Sequence, residues 1–93
     1  MKFADFEKVN SSVRTEYSVY RGHEMVDIFI MDYTATDCSK IPEGRRRINQ
    51  LVDLGKGAEV ERIESVILKS ERGELPAVWI SVQIGTHDYP DRL

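Results

Sequence analysis

Four segments of the chain have the pattern of β-strands, either alternating hydrophobic and polar residues or a short run rich in β-branched and aromatic residues. The four predicted strands are residues 13–20, 25–33, 60–70 and 77–84. The second is apolar on both faces except at Asp27 and Asp32, which predicts a central strand of the sheet. Gly22 and Gly73 fall between consecutive strands, where glycine suits the positive φ of a hairpin turn.

Apolar residues recur at helical spacing in two other segments, residues 2–10 and 42–54. The apolar stripes contain Phe3, Phe6 and Val9 in the first segment, and Ile48, Leu51 and Val52 in the second. Pro42 suits the first turn of a helix, where its missing N–H is not needed. Gly55 is typical of the residue that ends a helix.

The predicted order is helix, hairpin, helix, hairpin, which we interpret as two αββ units in tandem. The fold class is therefore α+β, with a four-stranded, mostly antiparallel sheet and both helices on one face. Residues 1–85 are expected to form this single domain. Residues 86–93 have no periodicity, which predicts a loosely ordered C-terminal tail.

Size and composition fit one globular domain. Of the 93 residues, 41% are hydrophobic and 31% are charged, and the net charge is −3. This charge has the wrong sign for a protein held to nucleic acid by bulk charge. Cys38 is the only cysteine, so an internal disulfide is excluded and a reducing compartment is indicated.

The sequence predicts a cytoplasmic location, in the producing cell or in an infected cell. The first ten residues mix charged with apolar side chains, which is not typical of a signal peptide. No apolar run approaches the roughly 20 residues that a membrane-spanning helix needs.

No catalytic or cofactor-binding motif is recognisable. Cys38 has no sequence context that supplies the His and orienting group of a catalytic thiol. His87 and Asp88 are of ligand type but have no metal-site spacing. The glycines at residues 55–57 follow a helix, whereas those of a P-loop open one. We therefore expect a non-enzymatic protein with no metal and no cofactor.

Asp27 interrupts an otherwise apolar strand. A carboxylate in that position should be paired, or should face solvent or a partner. Arg62 and Arg14 are the candidates for its counter-ion, and we expect a structural ion pair rather than a catalytic carboxylate.

Three consecutive arginines, residues 45–47, lie near the N-terminus of the second predicted helix. Cations are disfavoured there by the helix macrodipole. Two interpretations stay open: the run contacts an external anion, or it pairs with acidic residues of the chain such as Glu43 and Asp53.

The second face of the sheet has the strongest functional implication. If the helices cover the face that contains Tyr17, Ile28, Ile30 and Ile80, the opposite face carries aromatic and apolar residues beside Asp27 and Arg62. They are Tyr20, Met25, Phe29, Met31, Tyr33, Val66, Leu68 and Trp79. Small monomers rarely leave so much contiguous apolar area in water, so a partner should cover it. The alternative is that the face assignment of a strand is wrong by one residue, which would move every side chain of that strand to the opposite face.

Aromatic residues, Met and Arg are enriched at protein interfaces, so the sequence predicts a protein-binding module. We expect a homodimer, or a stoichiometric inhibitor or regulator that occludes a partner protein. In type, although through no shared motif, the chain resembles small acidic α+β regulators and inhibitors of phages and mobile elements. The predicted partner-binding residues are Tyr20, Phe29, Met31, Tyr33, Arg62 and Trp79 on the sheet, with Arg45, Arg46 and Arg47 on the helix.

The alternative function is a nucleic-acid-binding accessory protein. It would use the arginine run for phosphates and stack single-stranded bases on the aromatic residues of the sheet. The negative net charge argues against this alternative.

Overall fold

The computed structural model describes residues 1–93 and contains two helices, each followed by two strands. Their bounds are α1 Phe3–Val9, β1 Arg14–Arg21, β2 Glu24–Asp32, α2 Ile41–Asp53, β3 Ala58–Ser70 and β4 Gly73–Ile84. A short 3-10 turn at Gly55–Gly57 follows α2. Gly22, Gly55 and Gly73 all have positive φ, as expected where hairpins turn and a helix ends.

The four strands form one mixed sheet in the order β2-β1-β4-β3. Each hairpin is antiparallel, and the two hairpins join through a parallel pair of β1 and β4 at the centre. The α+β class and the mostly antiparallel sheet are thus confirmed. The prediction that residues 25–33 form a central strand is wrong, because β2 lies at an edge with β1 as its only neighbour.

The core lies between the two helices and one face of the sheet. Phe3 and Phe6 of α1 and Ile48 and Leu51 of α2 are buried against side chains of the strands. Those side chains include Tyr17, Val19, Phe29, Met31, Ile80, Val82 and Ile84. Gly44 lets α2 approach β2 closely, because a Cβ atom added there would overlap Met31 Sδ.

The register of β2 reverses the faces expected from its sequence. Tyr17 pairs with Phe29, so Phe29 and Met31 point toward the helices with Tyr17, and Ile28 and Ile30 point away. The pairing of β1 with β2 contains a bulge: Val19 pairs with Asp27, but Tyr20 pairs with Met25, so β2 has one extra residue before Asp27. The expected face assignment of β2 is therefore wrong by one residue.

The C-terminal segment, residues 86–93, is packed against the sheet, which corrects the expectation of a loose tail. The Tyr89 side chain is only 1% exposed and belongs to the core. Arg21 donates hydrogen bonds to the carbonyl oxygens of Thr86 and Tyr89. The backbone N–H of Arg92 donates to the carbonyl of Val26 at 2.8 Å.

A buried carboxylate explains why this segment is held. Asp27 is 1% exposed, and its Oδ2 accepts a 2.5 Å hydrogen bond from the Tyr89 hydroxyl. Its Oδ1 accepts from Arg47 at 2.9 Å and from the backbone N–H of Ile28. Arg92 Nη1 lies 3.6 Å from Oδ2, and Arg92 Nη2 donates to Gln50 in α2. The expected ion pair of Asp27 is present, but its partners are Arg47 and Arg92 rather than Arg62 or Arg14.

We predict that Asp27→Asn lowers the free energy of unfolding by about 3 kcal/mol, because two partly buried arginines lose their counter-charge. Tyr89→Phe should lose about 2 kcal/mol, the contribution of one hydrogen bond to a charged group. Urea unfolding followed by circular dichroism measures both. In both variants, hydrogen exchange should show that residues 86–93 open before the rest of the chain.

The matched control is Asp53→Asn, because Asp53 is an exposed carboxylate at the end of α2. This substitution should change stability by less than about 0.5 kcal/mol. Equal stabilities for the Asp27 and Asp53 variants would show that the carboxylate cluster does not hold the fold.

Candidate protein-binding surface

The face of the sheet opposite the helices is covered by no element of the chain. One row across it runs from Ile30 through Glu16 and Trp79 to Glu64, one residue from each strand. Trp79 lies on a central strand, yet its side chain is 41% exposed. We call this surface the open face.

Two shallow depressions on the open face adjoin each other. The larger, of about 440 Å³, lies beside Trp79, and the smaller, of about 280 Å³, lies beside Tyr20 near the first hairpin turn. Arg62 and Ser81 line both. The structure therefore brings together three of the predicted partner-binding residues: Tyr20, Arg62 and Trp79.

Charge on the open face is mixed but mainly negative around Trp79. Glu16 and Glu64 are the register neighbours of Trp79 on either side. Arg62 Nη2 lies 3.5 Å from a Glu64 carboxylate oxygen, and both side chains are well exposed. An exposed pair of this kind contributes little to stability, so both groups are free to form contacts with another molecule.

Phe29 and Met31 do not belong to the open face. They are 9% and 1% exposed and pack beneath the helices, so their assignment to an exposed binding surface is corrected. Ile28 and Ile30 take their places, with 39% and 41% of each side chain exposed. The bulge before Asp27 shifts the phase of β2, and strict alternation in the sequence cannot reveal a bulge.

Tyr33 is exposed, but it lies past the end of β2 and contacts α2. Its hydroxyl accepts a hydrogen bond from Arg45 at 2.8 Å. Arg45 also pairs with Glu7, and Arg46 pairs with Glu43. These side chains belong to the helical layer, on the other side of the sheet from Trp79.

Arg47 is the least exposed of the three arginines, and it has two carboxylate partners, Asp27 and Glu43. Each member of the run thus has a partner within the chain, which favours the second of the two interpretations left open by the sequence. The run and the exposed tryptophan are not brought together.

Partly buried polar groups connect α1 to the sheet. Glu7 accepts hydrogen bonds from the Tyr17 hydroxyl and from Arg45. Burial raises the pKa of Glu7 above its ordinary value, and the Arg45 charge and the hydrogen bonds only partly offset this effect. Burial and the nearby Glu7 carboxylate also raise the pKa of Tyr17. The cluster is a packing contact between α1, α2 and β1.

Reactive side chains do not converge elsewhere in the structure. Cys38 is exposed in the connection between β2 and α2, where its Sγ lies 3.6 Å from the carbonyl oxygen of Ala35. No group of three or more His, Cys, Asp or Glu side chains could hold a metal ion. Neither helix is long and apolar enough to cross a membrane.

Comparison with known proteins found no matching family model, no matching curated protein and no matching solved structure.

We predict that Glu7→Gln changes how stability depends on pH. A carboxyl group whose pKa is higher in the folded state than in the unfolded state binds protons on folding. This group therefore makes the wild type more stable as pH falls from neutral toward the ordinary Glu range. The glutamine variant loses that contribution. The free energy of unfolding of the wild type, relative to that of the variant, should therefore increase as pH falls.

Urea unfolding of both proteins between pH 7 and pH 4.5 measures this difference. Glu24→Gln is the control, because Glu24 is exposed at the start of β2. A pH-independent difference for Glu7→Gln would show that the buried environment does not alter the titration of Glu7.

Proposed function

We propose that the protein is a non-enzymatic protein-binding module, an inhibitor or regulator that occludes a partner protein with its open face. One observation carries the proposal: Trp79 is 41% exposed on a central strand, on a face that no element of the chain covers. Large aromatic side chains in the middle of a surface are the residues that most often dominate binding energy.

The surroundings of Trp79 fit a protein interface. Arg62 lies beside Trp79 in one depression, and Tyr20 lines the adjoining one. Trp, Tyr and Arg are the types most enriched at binding hot spots. Glu16, Glu64 and Ser81 supply a polar rim around this centre. Since the mechanism is occlusion, it requires no chemistry from the chain.

Charge indicates the kind of partner. Glu16 and Glu64 flank Trp79, and Glu61 lines the depression beside Tyr20. Carboxylates around an aromatic centre complement a partner surface that presents an apolar side chain ringed by Lys or Arg. The same carboxylates would repel nucleic acid phosphates, which favours a protein over single-stranded nucleic acid.

We predict that Trp79→Thr weakens partner binding at least 30-fold, the effect of losing a hot-spot contact of about 2 kcal/mol. Threonine suits a strand, so the fold should be retained. The immobilised protein is used to capture a partner from lysate of the producing cells, and the purified partner is then titrated by calorimetry. Trp79 is the only tryptophan, so its emission should shift to shorter wavelength in a 1:1 complex.

Tyr33→Thr is the matched control, since Tyr33 is another exposed aromatic residue, on the helical side of the molecule. It should bind the partner with the affinity of the wild type. Unchanged affinity of Trp79→Thr, or unchanged Trp79 emission in the complex, would show that the open face is not the binding surface.

Glu16→Lys should weaken binding and slow association if the partner is basic.

A further inference from the structure

The outer edge of β2 presents hydrogen-bonding groups that no strand of the chain uses. The Tyr33 N–H donates to the Val13 carbonyl at 2.9 Å, which sets the phase of the antiparallel ladder. Alternate pairs in such a ladder exchange hydrogen bonds, so Phe29 and Met31 bond to β1. Ile28 and Ile30 therefore direct their N–H and C=O groups away from β1, toward the free edge.

Two of the edge groups are already satisfied. The Val26 carbonyl accepts the Arg92 N–H, and the Ile28 N–H donates to Asp27 Oδ1 at 2.9 Å. The remaining outward-facing groups are the Ile28 carbonyl and the N–H and C=O groups of Ile30 and Asp32. They form a short stretch in which a second strand can pair.

This stretch lacks the usual protection of an edge strand. Between Ile28 and Asp32 there is no proline, no lysine and no bulge, and each isoleucine side chain is about 40% exposed. At the opposite edge, β3 has a bulge after Val60 and Met1 and Lys2 cover its beginning, while the uncovered remainder carries Arg62 and Lys69. The apolar pattern of β2 on both faces is that of an interior strand, but the chain provides only one neighbour.

We infer that β2 pairs with β2 of a second copy of this chain, so that two four-stranded sheets join across a two-fold axis. The register follows from the outward-facing residues. An antiparallel pairing centred on Phe29 sets Ile28 opposite Ile30 of the partner subunit, and the reverse, with all four side chains on one face. A pairing centred on Ile30 would set Ile28 opposite the partner subunit's Asp32. This register is less favourable, because a carboxylate would replace an isoleucine as the cross-strand neighbour of Ile28.

Space and charge are compatible with this occupant. A groove of about 530 Å³ runs along β2 beside the N-terminal half of α2. Its charged lining consists of Glu16 and Glu43 against Lys40 and Arg47, two of each sign. Two copies can therefore approach at this edge without net repulsion, although the whole chain carries a charge of −3.

This dimer uses Ile28 and Ile30 at the margin of the open face and leaves its centre at Trp79 free for the proposed partner. Edge pairing uses the backbone of β2 and leaves Trp79, on a central strand, uncovered. The dimer would present two open faces side by side in one continuous sheet. It would thus be bivalent toward its partner protein.

The test combines mass with hydrogen exchange. Light scattering over a concentration series should show the mass doubling from 10.7 kDa as concentration rises. The Ile30 amide should exchange at least ten times more slowly in the concentrated sample, because only the dimer gives it an acceptor. Ile30→Pro should stay monomeric at every concentration, since proline removes the outward N–H without removing a bond to β1.

A second variant covers the case in which proline disturbs the fold. Ile28→Lys puts a charge at the pairing centre and should also give a monomer. Its matched control is Ile63→Lys, since Ile63 is 50% exposed on the other edge strand, and this variant should dimerise like the wild type.

A monomer at all concentrations with fast exchange at the Ile30 amide would overturn the dimer and leave binding by the open face standing. A dimer that Trp79→Thr splits and Ile30→Pro does not would equally overturn edge pairing, and would assign self-association to the open face. Conversely, a dimer that survives Trp79→Thr, with partner binding lost, would support both proposals.

Discussion

The buried carboxylate of Asp27 joins three parts of the chain that are distant in sequence. It receives Arg47 from α2 and Tyr89 and Arg92 from the C-terminal segment, while its own strand lies at the edge of the sheet. A carboxylate that is 1% exposed is costly unless its oxygens are satisfied, and here both accept hydrogen bonds. The docking of the C-terminal segment and the position of α2 over β2 both depend on this group.

The same residue sets the direction of its neighbours. Because Asp27 points toward the helices, Phe29 and Met31 do so as well, and both fill the core. Ile28 and Ile30 are left on the other side of β2, where no helix reaches them. Phe29 also packs on Tyr17, with ring centroids 4.7 Å apart, and lies beneath the Arg47 guanidinium. An internal electrostatic requirement thus determines which apolar residues remain outside.

The functional proposals follow from what two short helices can cover. α1 and α2 bury only part of one face of a sheet whose strands reach 13 residues, since Ile63 and Ile67 of β3 remain exposed on that face. The other face, and the outer edge of β2 from Ile28 onward, have no neighbouring element. The open face offers an aromatic centre with a polar rim, whereas the β2 edge offers backbone groups and two isoleucines. These surfaces are of different kinds, so one chain can use the edge for its own copy and the face for another protein.

The alternation of residues and the turn glycines were enough to predict the α+β class, all four strands and both helices, because these patterns reflect local geometry. They also identified Trp79, Tyr20 and Arg62 as residues of one surface. The faces of β2, its place at the edge and the docking of Tyr89 came only from the tertiary structure. A bulge shifts the phase without changing composition, and strand order and the partners of Asp27 depend on contacts up to 65 residues apart. Pairings over such separations leave no periodic signal in the sequence, so only the folded chain decides which apolar residues are buried and which face a partner.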